Sequence, residues 1–360
     1  MRIFFLILIV IHGLIHLMGF AKAFDFGTIT QLSKEISKPL GVLWLTAFLL
    51  FLLSAILFFL KKEEWWIISI IAVIVSQILI ITVWQDAKFG TIANILIAAV
   101  AVLTWGSISF EKSFVNDKNE NIIRTNIISQ EILTETDIKT LPKPVQHYLK
   151  YVGVMNKPKV KNVRIVFEGQ MRDKGKDYFS FTSEQFNFFD EPTRLFYMKA
   201  KIFGVSALGY HKYSDTKASM DIRLFGLFPI VKKSGDIMNK AETVTLFNDM
   251  CLLAPATLID KRIQWESIND TLVKATFTNK KISITAALYF NQQGQLVDFI
   301  SNDRTSITDM KQYPFSTPVS EYKIINGYNL MSKAEAVWDY TDGKFTYGKF
   351  ILKEIEYNIQ

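Results

Sequence analysis

Hydrophobic and polar positions divide the chain into two halves with different rhythms. Four apolar stretches occupy residues 3–20, 40–60, 65–84 and 91–108, and none contains Lys, Arg, Asp or Glu. A helix of about 20 residues crosses a hydrocarbon core of roughly 30 Å. One charge at mid-span would cost about 2.5–3.5 kcal/mol on the insertion scale. The pattern therefore predicts four transmembrane helices. The breaks at 61–64 and 85–90 are short and polar, so neighbouring helices are expected to run antiparallel. Trp44, Trp65, Trp66, Trp84 and Trp105 stand near segment ends, where an indole rests among headgroups.

Beyond residue 110 the rhythm changes. Residues 111–135 are polar and weakly patterned, and read as a juxtamembrane linker. Pro142 and Pro144 open a short helix on which Val145, Tyr148, Leu149 and Val152 recur at helical spacing. From about residue 160 the period is two. Val163, Ile165 and Phe167 alternate with Arg164 and Glu168, and Val273, Ala275 and Phe277 alternate with Lys274 and Thr276. Turn pairs such as Asn326-Gly327 and Asp342-Gly343 mark two-residue hairpins. About twelve strands are expected, the clearest hairpin being 328–338 with 345–357. One helix near 240–253, with Val244, Phe247, Met250 and Cys251 on one face, interrupts them. The expected fold class is an α-helical membrane anchor of four transmembrane helices (1–110) and a linker (111–135), followed by an α+β domain (136–360). That domain is a large curved antiparallel β-sheet with a packed helix.

Charge sharpens this division. The chain has 360 residues and a formal net charge of +7. Its first 110 residues hold seven Lys and Arg and five acids, leaving a net +5 for the rest. A mildly basic domain of this kind can feel anionic headgroups. No basic run resembles a nucleic-acid patch, so membrane lipids and an apolar small molecule are the expected partners. Orientation rests on a narrow margin. With the N-terminus inside, Arg2, Lys61, Lys62, Lys112 and Lys118 are cytoplasmic and Lys22, Lys34, Lys38 and Lys88 are outside. That places the C-terminal domain in the cytoplasm, under a multi-pass inner-membrane anchor. The first stretch also has signal-peptide features in Arg2 and Ala21-Lys22-Ala23, but its length favours an uncleaved helix.

Candidate chemistry is sparse. The lone Cys251 excludes an intrachain disulfide and reads as a buried thiol. No nucleophile elbow, P-loop, dinucleotide fingerprint or Cys/His metal spacing occurs, so no catalytic residue and no cofactor is assigned. His12 and His16 lie on one face of the first helix at i, i+4 spacing. Ionisable groups inside a membrane are often functional, so a redox, haem or metal role for this pair is one alternative. Glu184, Glu242 and Asp303 are acids that folding can bring together.

Aromatic density is the strongest signal. Residues 178–203 hold nine Phe and Tyr, ending at Phe203, and several fall on both faces of a strand. One set fills a core. The other must meet a second layer, the membrane or a ligand. The proposed ligand-binding residues are Phe181, Phe186, Phe188, Phe196 and Phe247, with Arg172 or Arg223 for a headgroup.

The run Leu141-Pro142-Lys143-Pro144-Val145-Gln146-His147-Tyr148-Leu149 resembles the L-P-x-P-V-Q-x-Y-L opening of a bacterial domain family of unknown function. Gly169-Gln170-Met171-Arg172, Arg223-Leu224-Phe225-Gly226-Leu227, Trp265-Glu266 and Ala334-Glu335-Ala336-Val337-Trp338 follow in order, so the resemblance covers about 130–360. It also extends to members with multi-pass N-termini, but it supplies no activity and no functional residues. The leading reading is a membrane-anchored protein of unknown activity, more a binding module than an enzyme, whose β-rich domain takes a lipid or other hydrophobic ligand. A structural or envelope assembly factor is the second alternative.

Overall fold

The computed structural model describes residues 2–202, 204–306 and 309–360. Phe203, the last of the expected aromatic series, lies outside them. The chain divides into two compact units, Met1–Phe110 and Glu111–Gln360.

In the first unit α1 (Arg2–Ile15) and α2 (Leu17–Ala23) meet at His16, and are followed by α3 (Lys38–Phe59), α4 (Trp65–Thr82) and the short α5 (Trp84–Ala87). Then α6 (Gly90–Asn126) begins. Among the described residues, four stretches are long and apolar enough to cross a membrane: Arg2–Ala23, Lys38–Phe59, Trp65–Thr82 and Gly90–Asn126. Their outward faces are apolar too, as with Ile71, Ile74, Ile78 and Ile81 on α4.

The polar segment expected as a linker is different in structure. Helix α6 runs on to Asn126, and its last part belongs to the second unit. After it, Leu133 and Ile138 are fully buried in that unit's core. Low hydropathy hid both features, because a helix laid on a sheet needs only one apolar stripe. The compact unit therefore includes the stretch from Glu111 onward.

The second unit continues with α7 (Glu135–Ile138), α8 (Lys143–Val152) and one sheet of fourteen antiparallel strands. The first six are β1 (Asn162–Met171), β2 (Phe179–Phe188), β3 (Thr193–Ile202), β4 (Val205–Ser214), β5 (Lys217–Leu224) and β6 (Phe228–Ser234). After α9 (Asp236–Leu252) come β7 (Ile263–Asn269), β8 (Leu272–Asn279), β9 (Ile282–Phe290) and β10 (Leu296–Ser301). The last are β11 (Phe315–Ser316), β12 (Val319–Ile325), β13 (Tyr328–Tyr340) and β14 (Gly343–Tyr357). The sheet runs β6-β5-β4-β3-β2-β1-β14-β13-β11-β10-β9-β8-β7, with β12 also on β13. It curves into a half-barrel.

Period-two patterning produces this sheet. In β8, Val273, Ala275 and Phe277 are buried and Lys274 is exposed. Asn326 and Gly327 form the two-residue loop between Ile325 and Tyr328, at φ 50° and 78°. The Asp342-Gly343 hairpin turns one residue earlier, since Tyr340 pairs with Gly343 across Thr341-Asp342. Gly169 is needed for close approach: a Cβ there would lie 2.5 Å from the Phe181 ring and 2.4 Å from the Lys349 carbonyl.

Helix α9 packs against β4, β5 and β6 on one arm of the sheet and against β9 and β10 on the other. It is consequently buried on nearly every side, polar Glu242, Thr243, Asn248 and Asp249 included. The single apolar face expected for it does not describe a helix enclosed by a curved sheet.

The double-faced aromatics find two separate partners. Side chains at 181, 185, 194, 196 and 198 face α9 and the core, as the contacts of Gln185 and Arg194 with the helix require. Those at 186, 188, 195 and 197 face the other way. There Phe114 of α6 meets Phe186, Tyr197 and Tyr210 at centroid distances of 5.8, 5.2 and 5.6 Å. Asp117 accepts hydrogen bonds from Tyr210 Oη (2.6 Å) and Lys212 Nζ (2.7 Å). A second layer thus covers much of the aromatic surplus.

Candidate functional site

A cavity of about 630 Å³ lies between α9 and the concave face of the sheet. Its wall is built from inward-facing strand positions, with irregular register along β13. Phe167 and Met171 come from β1, Phe196 and Met198 from β3, and Met220 and Ile222 from β5. Met331, Ala334, Ala336 and Trp338 come from β13, and Met238 and Leu252 from α9. Methionine is unbranched and polarizable, which suits a wall that meets irregular apolar shapes.

A charged cluster stands at the buried side. Arg194 Nε donates to Asp249 Oδ2 at 2.8 Å, its Nη1 to Glu242 Oε2 at 3.1 Å, and its Nη2 to Gln185 Oε1 at 3.0 Å. Asp249 Oδ2 also accepts from Gln185 Nε2 (2.7 Å) and Asn187 Nδ2 (3.0 Å). Arg194, Glu242 and Asp249 are each no more than 8% exposed. Charges this deep persist only when paired and hydrogen-bonded.

His211 lines the cavity beside this cluster, its ring edge-on to Phe196 at 5.6 Å. Burial lowers its pKa to about 4. Glu242 opposes that shift, and the positive charges of Arg194 and Arg304 reinforce it. The imidazole is neutral at pH 7.

The rim is formed by three segments: half-buried Arg172 with exposed Asp173 and Lys174 after β1, half-buried Arg304 with buried Thr305 and Ser306 after β10, and exposed Thr341 and Asp342 between β13 and β14. Aromatic rings support it. Phe315, Trp338, Tyr340, Phe345 and Tyr347 form one cluster with Tyr313.

The residues selected from sequence are distributed as follows. Phe196 and Arg172 line the cavity. Phe181 lies on the same face but packs edge-on to Phe350 at 5.5 Å. Phe247 is in the core, stacked on Phe277 at 5.3 Å. Phe186 and Phe188 are on the opposite face of the sheet, under Lys118 and Arg124 of α6. Arg223 is on that opposite face too, paired with Asp221 at 2.7 Å. The three acids do not meet: Glu184 binds Arg164, Glu242 binds Arg194, and Asp303 binds Lys240. Cys251 is fully buried in the core.

Several lining residues were missed. Arg194 carries a signal in retrospect, as a charge in inward register with Phe196 and Met198. Glu242 and Asp249 are seven apart on α9, hence on one face. No local signal marks Arg304 or the methionines, since distant strands bring them together.

His12 and His16 have hydrogen-bond partners. His12 Nε2 donates to Asn94 Oδ1 at 2.8 Å. His16 Nδ1 donates to the His12 carbonyl at 2.8 Å, and its Nε2 meets the Ser76 hydroxyl at 2.9 Å. Among the described residues, no three His, Cys, Asp or Glu side chains cluster as a metal site.

The sequence pattern of the DUF6544 family, described as a family of unknown function, matches residues 131–350. The comparison with curated proteins finds no match. Among solved structures, a LolA superfamily protein from Nitrosomonas europaea is similar at a TM-score of 0.35 and 7% identity, covering 59% of this chain and 93% of that one.

Proposed function

We propose that this chain, which belongs to the DUF6544 family, is a membrane-anchored binding module whose C-terminal domain takes an apolar chain into its cavity. The observation that carries this reading is the cavity itself: about 630 Å³, with a wall surface that is mostly apolar, from side chains such as Phe196, Met198, Met220 and Trp338, beside a set of polar and charged groups. Ligand pockets fall in the range of roughly 300–1,000 Å³, with apolar walls and a few placed polar groups. Each buried CH₂ contributes about 0.8 kcal/mol. Ten of them supply roughly 8 kcal/mol before ordering costs, which is on the micromolar scale. The four apolar helices keep such a domain at the bilayer, where apolar chains are found.

The test is calorimetric titration of the full chain, held in amphipol, with dodecanol. Saturable binding at about micromolar Kd is expected. An Ala336→Trp variant fills the cavity and should lose it. No saturable binding by the folded wild-type protein would remove this reading.

A further inference from the structure

The arginines of residues 111–360 fall into two groups. Five have carboxylate partners: Arg124 with Asp190, Arg164 with Glu184 (2.6 Å), Arg194 with Asp249 (2.8 Å), Arg223 with Asp221 (2.7 Å) and Arg262 with Asp260 (2.5 Å). Among the described residues, Arg172 and Arg304 have none. These two are also the arginines at the rim of the cavity.

Both are held in place by aromatic faces. The Arg172 guanidinium carbon lies 4.4 Å from the Tyr178 ring centroid and 5.0 Å from that of Phe345, and Nε donates to the Thr346 carbonyl at 3.1 Å. Arg304 lies 4.0 Å over Phe315 and 5.4 Å from Trp338, and Nη1 donates to Tyr347 Oη at 3.1 Å. Trp338 is the direct cross-strand partner of both Phe345 and Phe315. The two guanidiniums therefore rest on consecutive rings of one cluster. A guanidinium has five N–H donors, and each of these uses one in a side-chain hydrogen bond. Among the described residues, the remaining edges have no hydrogen-bond partner.

The nearby carboxylates are largely engaged. Asp342 accepts from Lys174 Nζ at 2.5 Å, and Asp309 from Tyr313 Oη at 2.6 Å. Asp173 is exposed on the rim. Three cations against three acids give no net attraction at long range, so recognition must come from directed donors. Planar guanidinium forks match carboxylate and phosphate oxygens.

We propose that Arg172 and Arg304 form an anion subsite at the cavity mouth, and that the ligand is an anionic amphiphile with its chain inside and its phosphate or carboxylate on the two guanidiniums. This deepens the reading of the cavity as a chain-binding site and rests on it.

The test compares three probes on the full chain in amphipol: dodecyl phosphate, dodecanol and inorganic phosphate. Dodecyl phosphate should bind at least about tenfold more tightly than dodecanol, the scale of one charge-assisted hydrogen bond. Inorganic phosphate should bind far more weakly than either. Arg172→Gln and Arg304→Gln should each cost roughly tenfold for dodecyl phosphate and leave dodecanol within about twofold. Equal, saturable binding of dodecyl phosphate and dodecanol by the wild-type protein would overturn the anion subsite and leave the apolar site standing. That comparison needs no variant. Inorganic phosphate binding as tightly as dodecyl phosphate would make this a free-anion site and overturn the amphiphile. Binding of neither chain probe would remove the cavity reading, and this inference with it.

Discussion

The Phe114 ring stacks on the Tyr197 ring, with centroids 5.2 Å apart and planes 18° from parallel. That contact lays the polar last part of α6 on the outer face of the β-sheet, inside the second compact unit. It sets the boundary of the domain, and composition alone draws that boundary elsewhere.

A fragment of residues 111–360 should fold by itself, whereas one starting at 127 should not fold well. Removing 111–126 uncovers Phe186, Tyr197 and Tyr210 and leaves Lys212 without Asp117. The loss should be at least about 3 kcal/mol, the scale of deleting one large core ring. Circular dichroism and urea unfolding of the two fragments would measure it. Equal stability would mean that α6 is dispensable to the sheet.

The Arg194 cluster should be costly to break. Arg194→Met strands Asp249 and Glu242 in the interior, a change on the order of 3–5 kcal/mol. Arg223→Met removes a partly exposed pair and should cost about 1 kcal/mol or less. Unfolding of both variants of the 111–360 fragment makes the comparison. A small effect at Arg194 would show that water reaches the two acids.

Much of the architecture was legible because its signals are local. Uninterrupted apolar runs mark the four long helices, and alternation in stretches such as Val273, Ala275 and Phe277 marks the strands. The cavity was not legible in the same way. Its wall joins Met171, Met198, Met220 and Met331 from strands far apart in sequence with Met238 from α9, and no spacing rule connects them. Phe186 and Phe196 differ only in strand parity and register, yet one faces α6 and the other faces the cavity. Arg172 and Arg223 read alike as strand-end arginines until pairing gives Arg223 its Asp221.

Stability should fall in acid through His211. Its folded pKa is depressed to about 4 by burial, against about 6.5 unfolded. The unfolded state therefore takes up its proton first. The contribution is complete above about pH 6.5 and is lost as pH falls towards 4. Asp298, raised to about 6 by burial, has the opposite sign and is common to wild type and variant. The melting temperature of His211→Gln should thus fall less than that of wild type between pH 7 and 4. Parallel profiles would mean that His211 is solvated through the cavity.

The most direct measurement of the central claim is photocrosslinking of the full chain, held in amphipol, with a dodecyl probe bearing a diazirine near the chain terminus, mapped by peptide mass spectrometry. Chain binding in the cavity predicts adducts on residues such as Phe196, Met198, Met220, Met238 and Met331, suppressed by excess dodecanol and by Ala336→Trp. Adducts confined to the four apolar helices or to the outer face of the sheet, with none on those five residues, would contradict it.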